Sequence, residues 1–255
     1  MRRRSLLLAA AAAPWVACGA DARSPVTAIG LFALMGDELE VMISSSAVDT
    51  RLNRGERRVL NLKNSGFDQA ALRATRQVLA SARPGAAVHM YQASAPLTVA
   101  EQRKLADDAA EGGLPRWIVQ LIEQNKLSHV LLITRQRGEA MLRTGDGQSL
   151  GQGLVEGMGF YLDNDLEIRA RESGVVTRGF LGPYSYFRLT LLDTRTAEAF
   201  SHDIRDGRVL GARNVDQSIN PWDMLDAYEK TDMLREMIER NVRRVLPELL
   251  EGRKP

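Results

Sequence analysis

The 255-residue chain has one cysteine, three histidines and only 5% aromatic residues. With Cys18 alone, no internal disulfide can form, and a cysteine-based zinc site or an iron–sulfur cluster is excluded. His89, His129 and His202 stand singly at the ends of apolar stretches, so no two of them have metal-ligand spacing. There is no Gly-x-Ser-x-Gly nucleophile elbow, no glycine loop closing in Gly-Lys-Ser/Thr and no internal repeat. No cofactor is expected.

The amino terminus is distinctive. Arg2, Arg3 and Arg4 precede an apolar run over residues 6–16 and then small residues up to Ala22. Basic, apolar and small segments in that order make a secretory signal peptide. The run is about a dozen residues, short of the roughly 20 that cross a hydrocarbon core. Arg3-Arg4-Ser5-Leu6-Leu7 resembles a twin-arginine signal, and ordinary secretory leaders also carry arginine pairs. Two processing sites remain open. Ala20-Asp21-Ala22 fits small-x-small cleavage before Arg23, whereas Val16-Ala17-Cys18 resembles a lipobox with Trp15 where leucine is usual, making Cys18 a candidate lipid attachment. The expected organisation is a leader over 1–22 and one domain over 23–255, located in the periplasm or anchored to a bacterial membrane through Cys18.

The formal charge of +2 belongs to the whole chain. Losing Arg2, Arg3, Arg4 and Asp21 with the leader leaves the mature chain neutral, without a basic field for nucleic acid. In the absence of disulfides, stability must come from a core, which about 230 residues can supply.

Periodicity predicts an α/β domain: a mixed β-sheet flanked by helices, a β-meander in the second half and a C-terminal helix. Residues 26–34 read as a buried strand, and 38–44 alternate as a half-wet one; Gly36-Asp37 between them predicts a hairpin. A strand at 57–63, a helix at 68–83 and a strand at 88–91 suggest a βαβ unit with the two strands parallel. Thr98 and Glu101 form a capping box for a helix to 110, and a further helix spans 114–125 with Trp117, Leu121 and Ile122 on its apolar side. A second buried strand covers 129–134. Strands at 166–171, 175–180, 186–192 and 197–202 make the meander, and 221–246 is helical until Pro247 disturbs its last turn.

Several groups invite a chemical reading. The six glycines from Gly145 to Gly159 lack the strand-to-helix setting of a phosphate loop, so a hairpin tip or interaction loop is expected. Ser44, Ser45 and Ser46 form a hydroxyl-rich turn. Asp163, Asp165 and Glu167 alternate along a strand, the arrangement from which a glycosidase pair could be drawn, but Asn164-Asp165 reads as a turn, and the glycine and terminal glutamate of a calcium loop are missing. Phe180, Tyr184, Tyr186 and Phe187 surround Gly182-Pro183, where a strand corner is expected; Phe180 and Phe187 should pack inside, with Tyr184 at a wet edge as a candidate partner contact. On the last helix, Arg235, Arg240, Arg243 and Arg244 mix with Glu236 and Glu239, the pattern of a solvated face with ion pairs.

The segment from Tyr186 to Ala199 resembles an element of exported envelope domains in which a strand ends in Asp-x-x-Thr-Gly and turns into the next strand. Here it reads Asp193-Thr194-Arg195-Thr196-Ala197, with alanine in the glycine position. It is similar to the amino-terminal domain of the Tol propeller protein, the curli secretion lipoprotein and the lipoprotein activators of penicillin-binding proteins. Residues 29–34 and 129–134 resemble the strands of the same domains. The resemblance implies a non-enzymatic binding or assembly factor acting on envelope proteins, and it carries over no binding residue. Two other readings are a periplasmic hydrolase with its site near the glycine-rich loop, which needs converging carboxylates or a serine–histidine pair, and a small-molecule or lipid accessory, which needs an apolar cavity under the meander.

Overall fold

The computed structural model describes residues 25–44, 55–92, 97–111, 113–169, 176–211 and 220–252. The expected leader, including Cys18, and Ser45 and Ser46 lie outside the described residues. In chain order the elements are β1 (Ala28–Ala33), β2 (Glu38–Ser44), β3 (Gly55–Asn61), α1 (Phe67–Ala82), β4 (Ala87–Tyr91), α2 (Val99–Ala110), α3 (Arg116–Asn125) and β5 (His129–Arg135). There follow β6 (Arg137–Glu139), β7 (Leu142–Arg143), β8 (Ser149–Leu150), β9 (Leu154–Glu156), β10 (Met158–Arg169), β11 (Val176–Asp193), β12 (Ala199–Gly207), β13 (Leu210–Gly211) and α4 (Ala227–Glu251).

The 18-residue β11 organises a nine-stranded mixed sheet. Phe187 lies opposite both Arg135 of β5 and Ile204 of β12, while Tyr184 lies opposite both Gly159 of β10 and Gly207 of β12. A strand residue has only two lateral neighbours, so β5 and β10 follow one another along the same side of β11. Beyond them β1 pairs with β5, and β2 with β10, all in parallel. The next strands outward are β4 beside β1 and β3 beside β2.

That arrangement corrects two pairings expected from sequence. Gly36-Asp37 does not close a hairpin: β1 and β2 have different partners, and Gly36 (φ 67) makes a kink between them. Nor do β3 and β4 pair. The strand parallel to β4 is β1, and β3 runs antiparallel to β2. Local periodicity identifies strands but leaves lateral partners to be chosen by long-range burial.

The β10–β11–β12 meander is present. Gly182-Pro183 is not a corner, because β11 runs through it with Pro183 opposite Phe160 and Gly182 opposite Tyr161. Likewise α4 continues through Pro247 to Glu251 and is capped by Gly252 (φ 67); the segment Pro221–Met224 before it is a separate short 3-10 turn. The Thr98–Glu101 capping box forms as expected, and Asp226–Glu229 makes a second one at the start of α4.

Alternation along the strands creates three cores. Ile29, Leu31, Leu131, Ile133, Leu189 and Leu191 face α1 and α4. Their neighbours Phe32, Val130, Leu132 and Leu192 face α2 and α3. On that second face, farther along β11, the paired strands β6–β9 and β7–β8 cover Tyr161, Phe180, Tyr184 and Tyr186. The glycine-rich segment thus lies in hairpins over an aromatic core, and the space under this part of the meander is filled with side chains.

The turn after β11 is closed by its own first carboxylate. Asp193 Oδ1 accepts from Arg195 N–H at 2.9 Å and from Thr196 N–H at 3.4 Å, and Ala197 sits at φ 56, the left-handed region that glycine enters without penalty.

Candidate interaction groove

Strand β4 is built from Ala87-Val88-His89-Met90-Tyr91, which carries no Asp, Glu, Lys or Arg. Pro84-Gly85 ends the preceding helix, and the Ala87 N–H donates to Thr27 O at 2.8 Å, setting the strand parallel to β1. Ladder bonds from one strand to one neighbour use alternate residues. Since Ala87 points at β1, His89 and Tyr91 do too, and the N–H and C=O of Val88 and Met90 point away from the sheet.

Register with Ile29 and Leu31 places the Val88 and Met90 side chains on the face of α1. There they form, with Leu79, Ala80, Pro84 and Ala86, a groove of about 390 Å³ rimmed by Arg76 and Arg83. Leu79 is its buried floor, and Met90, 51% exposed, is its outer wall. Arg83 is held in place by donating to Ala82 O at 2.7 Å and Leu250 O at 3.1 Å. Arg76 is exposed on the rim. From the opposite face Tyr91 stacks on Phe32 at 4.8 Å, and the half-exposed Trp117 meets the same ring edge-on at 5.6 Å.

The other long edges are protected differently. Edge strand β3 carries Glu56, Arg57 and Arg58, and edge strand β12 carries Asp203, Arg205 and Asp206. Asp206 is further tied to α4 by Arg240 at 2.8 Å and Asn241 at 2.7 Å. Charges on an edge discourage the addition of another strand. Among the described residues, β4 is the long edge that lacks them.

The residues expected to carry chemistry lie elsewhere. Ser128 and His129 do touch, Oγ to Nδ1 at 3.1 Å, beside Asp193 at 3.9 Å from Nε2. However, the Ser128 hydroxyl donates to Ala28 O at 2.8 Å and accepts from Thr27 N–H at 3.0 Å and Ala28 N–H at 3.1 Å, so it fastens β1 to the entry of β5. Three backbone contacts therefore hold this oxygen between the two strands. Burial also pushes the His129 imidazole below its ordinary value, with Asp193 opposing. An adjoining cavity of about 260 Å³ contains His129, Asp193, Arg83 and Glu198.

Two carboxylates also converge near the glycine-rich segment. Glu40 is buried, accepts from the Glu156 N–H at 2.8 Å and meets Arg57 Nε at 2.8 Å; Arg57 Nη2 reaches Glu156 at 3.4 Å. Arg57 thus pairs with both acids in an ion-pair cluster that joins β2, β3 and β9. Burial raises the Glu40 carboxyl above its usual range, and the Arg57 charge opposes the shift. Tyr184 ends beside Glu40, fully buried, with its hydroxyl raised well above the ordinary value by burial and by that carboxylate. The expectation of a wet-edge partner contact at Tyr184 is therefore corrected: the covering hairpins seal it inside.

A third polar cluster fills the kink between β1 and β2, where a cleft of about 330 Å³ is lined by Asp37, Glu38, Asp68 and Arg135 among others. Each acid is engaged within the fold. Asp37 accepts from Ser65, Glu38 pairs with Arg135 at 2.7 Å, and Asp68 accepts the Met35 and Gly36 N–H groups at 2.7 and 3.3 Å. Burial pushes the Asp68 carboxyl up to about 6, despite those two bonds. Asp163 caps its own turn by accepting from the Asp165 and Leu166 N–H groups. His89, His129 and His202 lie on β4, β5 and β12.

The fold and the groove define an α/β protein with a mixed sheet, whose accessible feature is an uncharged edge beside a helix. No family model matches the chain, and no curated protein does. Among solved structures, the DUF330 protein XCC0632 from Xanthomonas campestris is similar over 89% of this chain and 86% of its own, at 11% identity and a TM-score of 0.38. An uncharacterized protein is similar over 86% of this chain and 92% of its own, at 11% identity and a TM-score of 0.33. At these scores neither likeness bears on function.

No helix among the described residues is long and apolar enough to cross a membrane. Sequence reasoning missed the groove, although the signal was present: residues 84–92 contain no charge, unlike the segments that became β3 and β12.

Proposed function

We propose that this chain is an exported, non-enzymatic accessory protein of a bacterial envelope that binds a protein partner at the β4 edge. The observation that carries the reading is the five-residue edge strand without charge, open beside an apolar groove. The leader-like amino terminus supplies the setting, and the resemblance to envelope domains around Asp193 to Ala197 supports an assembly role. The locked hydroxyl of Ser128 and the arginine between Glu40 and Glu156 favour this reading over the hydrolase.

The test is a photo-crosslinking side chain placed at Met90 in full-length protein made in a Gram-negative host, with the same label at exposed Tyr228 as control. A discrete protein adduct from position 90 in the envelope fraction, absent from position 228, is expected. No adduct, or the same products from both positions, overturns the proposal. The mass of the mature amino terminus, read from the same sample, separates a chain beginning at Arg23 from one lipidated at Cys18.

A further inference from the structure

We infer, building on that reading of β4, that the partner enters as an extended strand carrying an acidic side chain, hydrogen-bonded along β4 with alternate apolar residues in the α1 groove. The backbone half of the site is the outward N–H and C=O of Val88 and Met90, which have the spacing of a ladder and, among the described residues, no neighbour strand. Strand addition uses these groups for affinity and alternate side-chain pockets for selectivity. The pocket half is Leu79, Ala80, Pro84, Val88 and Met90, a shallow apolar surface suited to branched aliphatic residues.

Charge chooses between occupants. The groove's charged rim is Arg76 and Arg83, with no carboxylate among its lining residues, so an acidic residue on the incoming strand is complementary. A second copy is disfavoured by the same feature. Antiparallel pairing of two β4 strands relates the copies by a two-fold axis normal to the sheet, which puts both α1 helices on one face and sets one arginine rim against the other.

The probes are two synthetic, end-blocked, dye-labelled heptapeptides with threonine at the odd positions, valine second and sixth, and glutamate or lysine in the centre, so that the charge shares the valine face; each is titrated into the full mature chain by fluorescence polarisation. The glutamate peptide should bind about fivefold more tightly, the scale of an exposed ion pair. Arg76→Glu sets an anion beside Arg83 and so neutralises the rim; it should abolish the preference, and because Arg76 is exposed that variant should retain the fold. Met90→Pro removes an outward N–H while leaving the bonds to β1, and should abolish binding of both peptides with the circular dichroism spectrum intact.

Equal binding of the two peptides, or an unchanged preference in Arg76→Glu, would overturn the acidic-strand inference. A concentration-dependent dimer lost in Met90→Pro would overturn it in favour of self-pairing. If neither peptide binds but the position-90 crosslink forms, the inference falls and the β4 reading stands. If both are absent, both fall.

Discussion

Leu31 of β1 and Met90 of β4 stand side by side in parallel register, yet Leu31 is fully buried while Met90 is 51% exposed. One strand's width separates the interior of the sheet from an edge that nothing among the described residues covers. Leu31→Ala should cost about 3 kcal/mol, the scale of a truncated core leucine. Met90→Lys should change stability by no more than about 0.5 kcal/mol, yet it places a charge on the edge and should block the envelope crosslink read from a label at the neighbouring Val88. Urea unfolding and the crosslinking gel read the two effects separately.

Ala197 holds φ 56 without being glycine. A non-glycine residue in the left-handed region costs roughly 1 kcal/mol, partly offset by the greater freedom glycine has when unfolded. Ala197→Gly should therefore stabilise the protein by about 0.5 kcal/mol, seen as a higher urea midpoint with an unchanged slope.

The same residue shows what the sequence made legible. Asp193-Thr194-Arg195-Thr196 announces its turn because the carboxylate and the following N–H groups are close neighbours in the chain. The α2 capping box was readable for the same reason. Lateral strand partners were not, since Gly36-Asp37 has hairpin chemistry and only the competition of β5 and β4 for the sides of β1 turns it into a kink. Tyr184 misled because the hairpins that seal it come from residues 137–156, a contact that no local pattern encodes. The groove was hidden for a related reason: an uncharged run reads as an interior strand until the topology leaves it at the rim.

Gly159 lies where β10 crosses beneath Tyr184. A Cβ there would come within 2.0 Å of Glu40 O and 2.6 Å of the Tyr184 hydroxyl, with the Glu40 backbone fixed in the β2 ladder. Gly159→Ala should destabilise by about 3 kcal/mol or more, at or beyond the upper range of overpacking. A thermal melt checks this; a shift below 2 °C would show that β2 and β10 can move apart.

Asp68 supplies a pH dependence. Its carboxyl titrates near 6 in the fold against an ordinary 3.8, raised by burial, with Asp37 adding to the shift and the Met35 and Gly36 amides and Arg135 opposing it. A folded value above the unfolded one means that the folded state binds the extra proton. Its contribution is therefore most favourable below about pH 4 and is lost as pH rises to 6, on the order of 2–3 kcal/mol in all. Asp68→Asn keeps an acceptor for Met35 and Gly36 without the charge. Relative to wild type it should be more stable at pH 8 and equal at pH 4, as read from urea midpoints across that range.

The most direct test of the β4 account is amide exchange by NMR at residues 87 to 90, with and without the glutamate peptide. Ala87 and His89, which point at β1, should be protected throughout, whereas Val88 and Met90 should exchange freely alone and slow by at least about tenfold at saturation, as new strand hydrogen bonds require. Fast exchange at Val88 and Met90 with the peptide bound, or protection there before any peptide is added, would contradict a free edge that receives a partner strand.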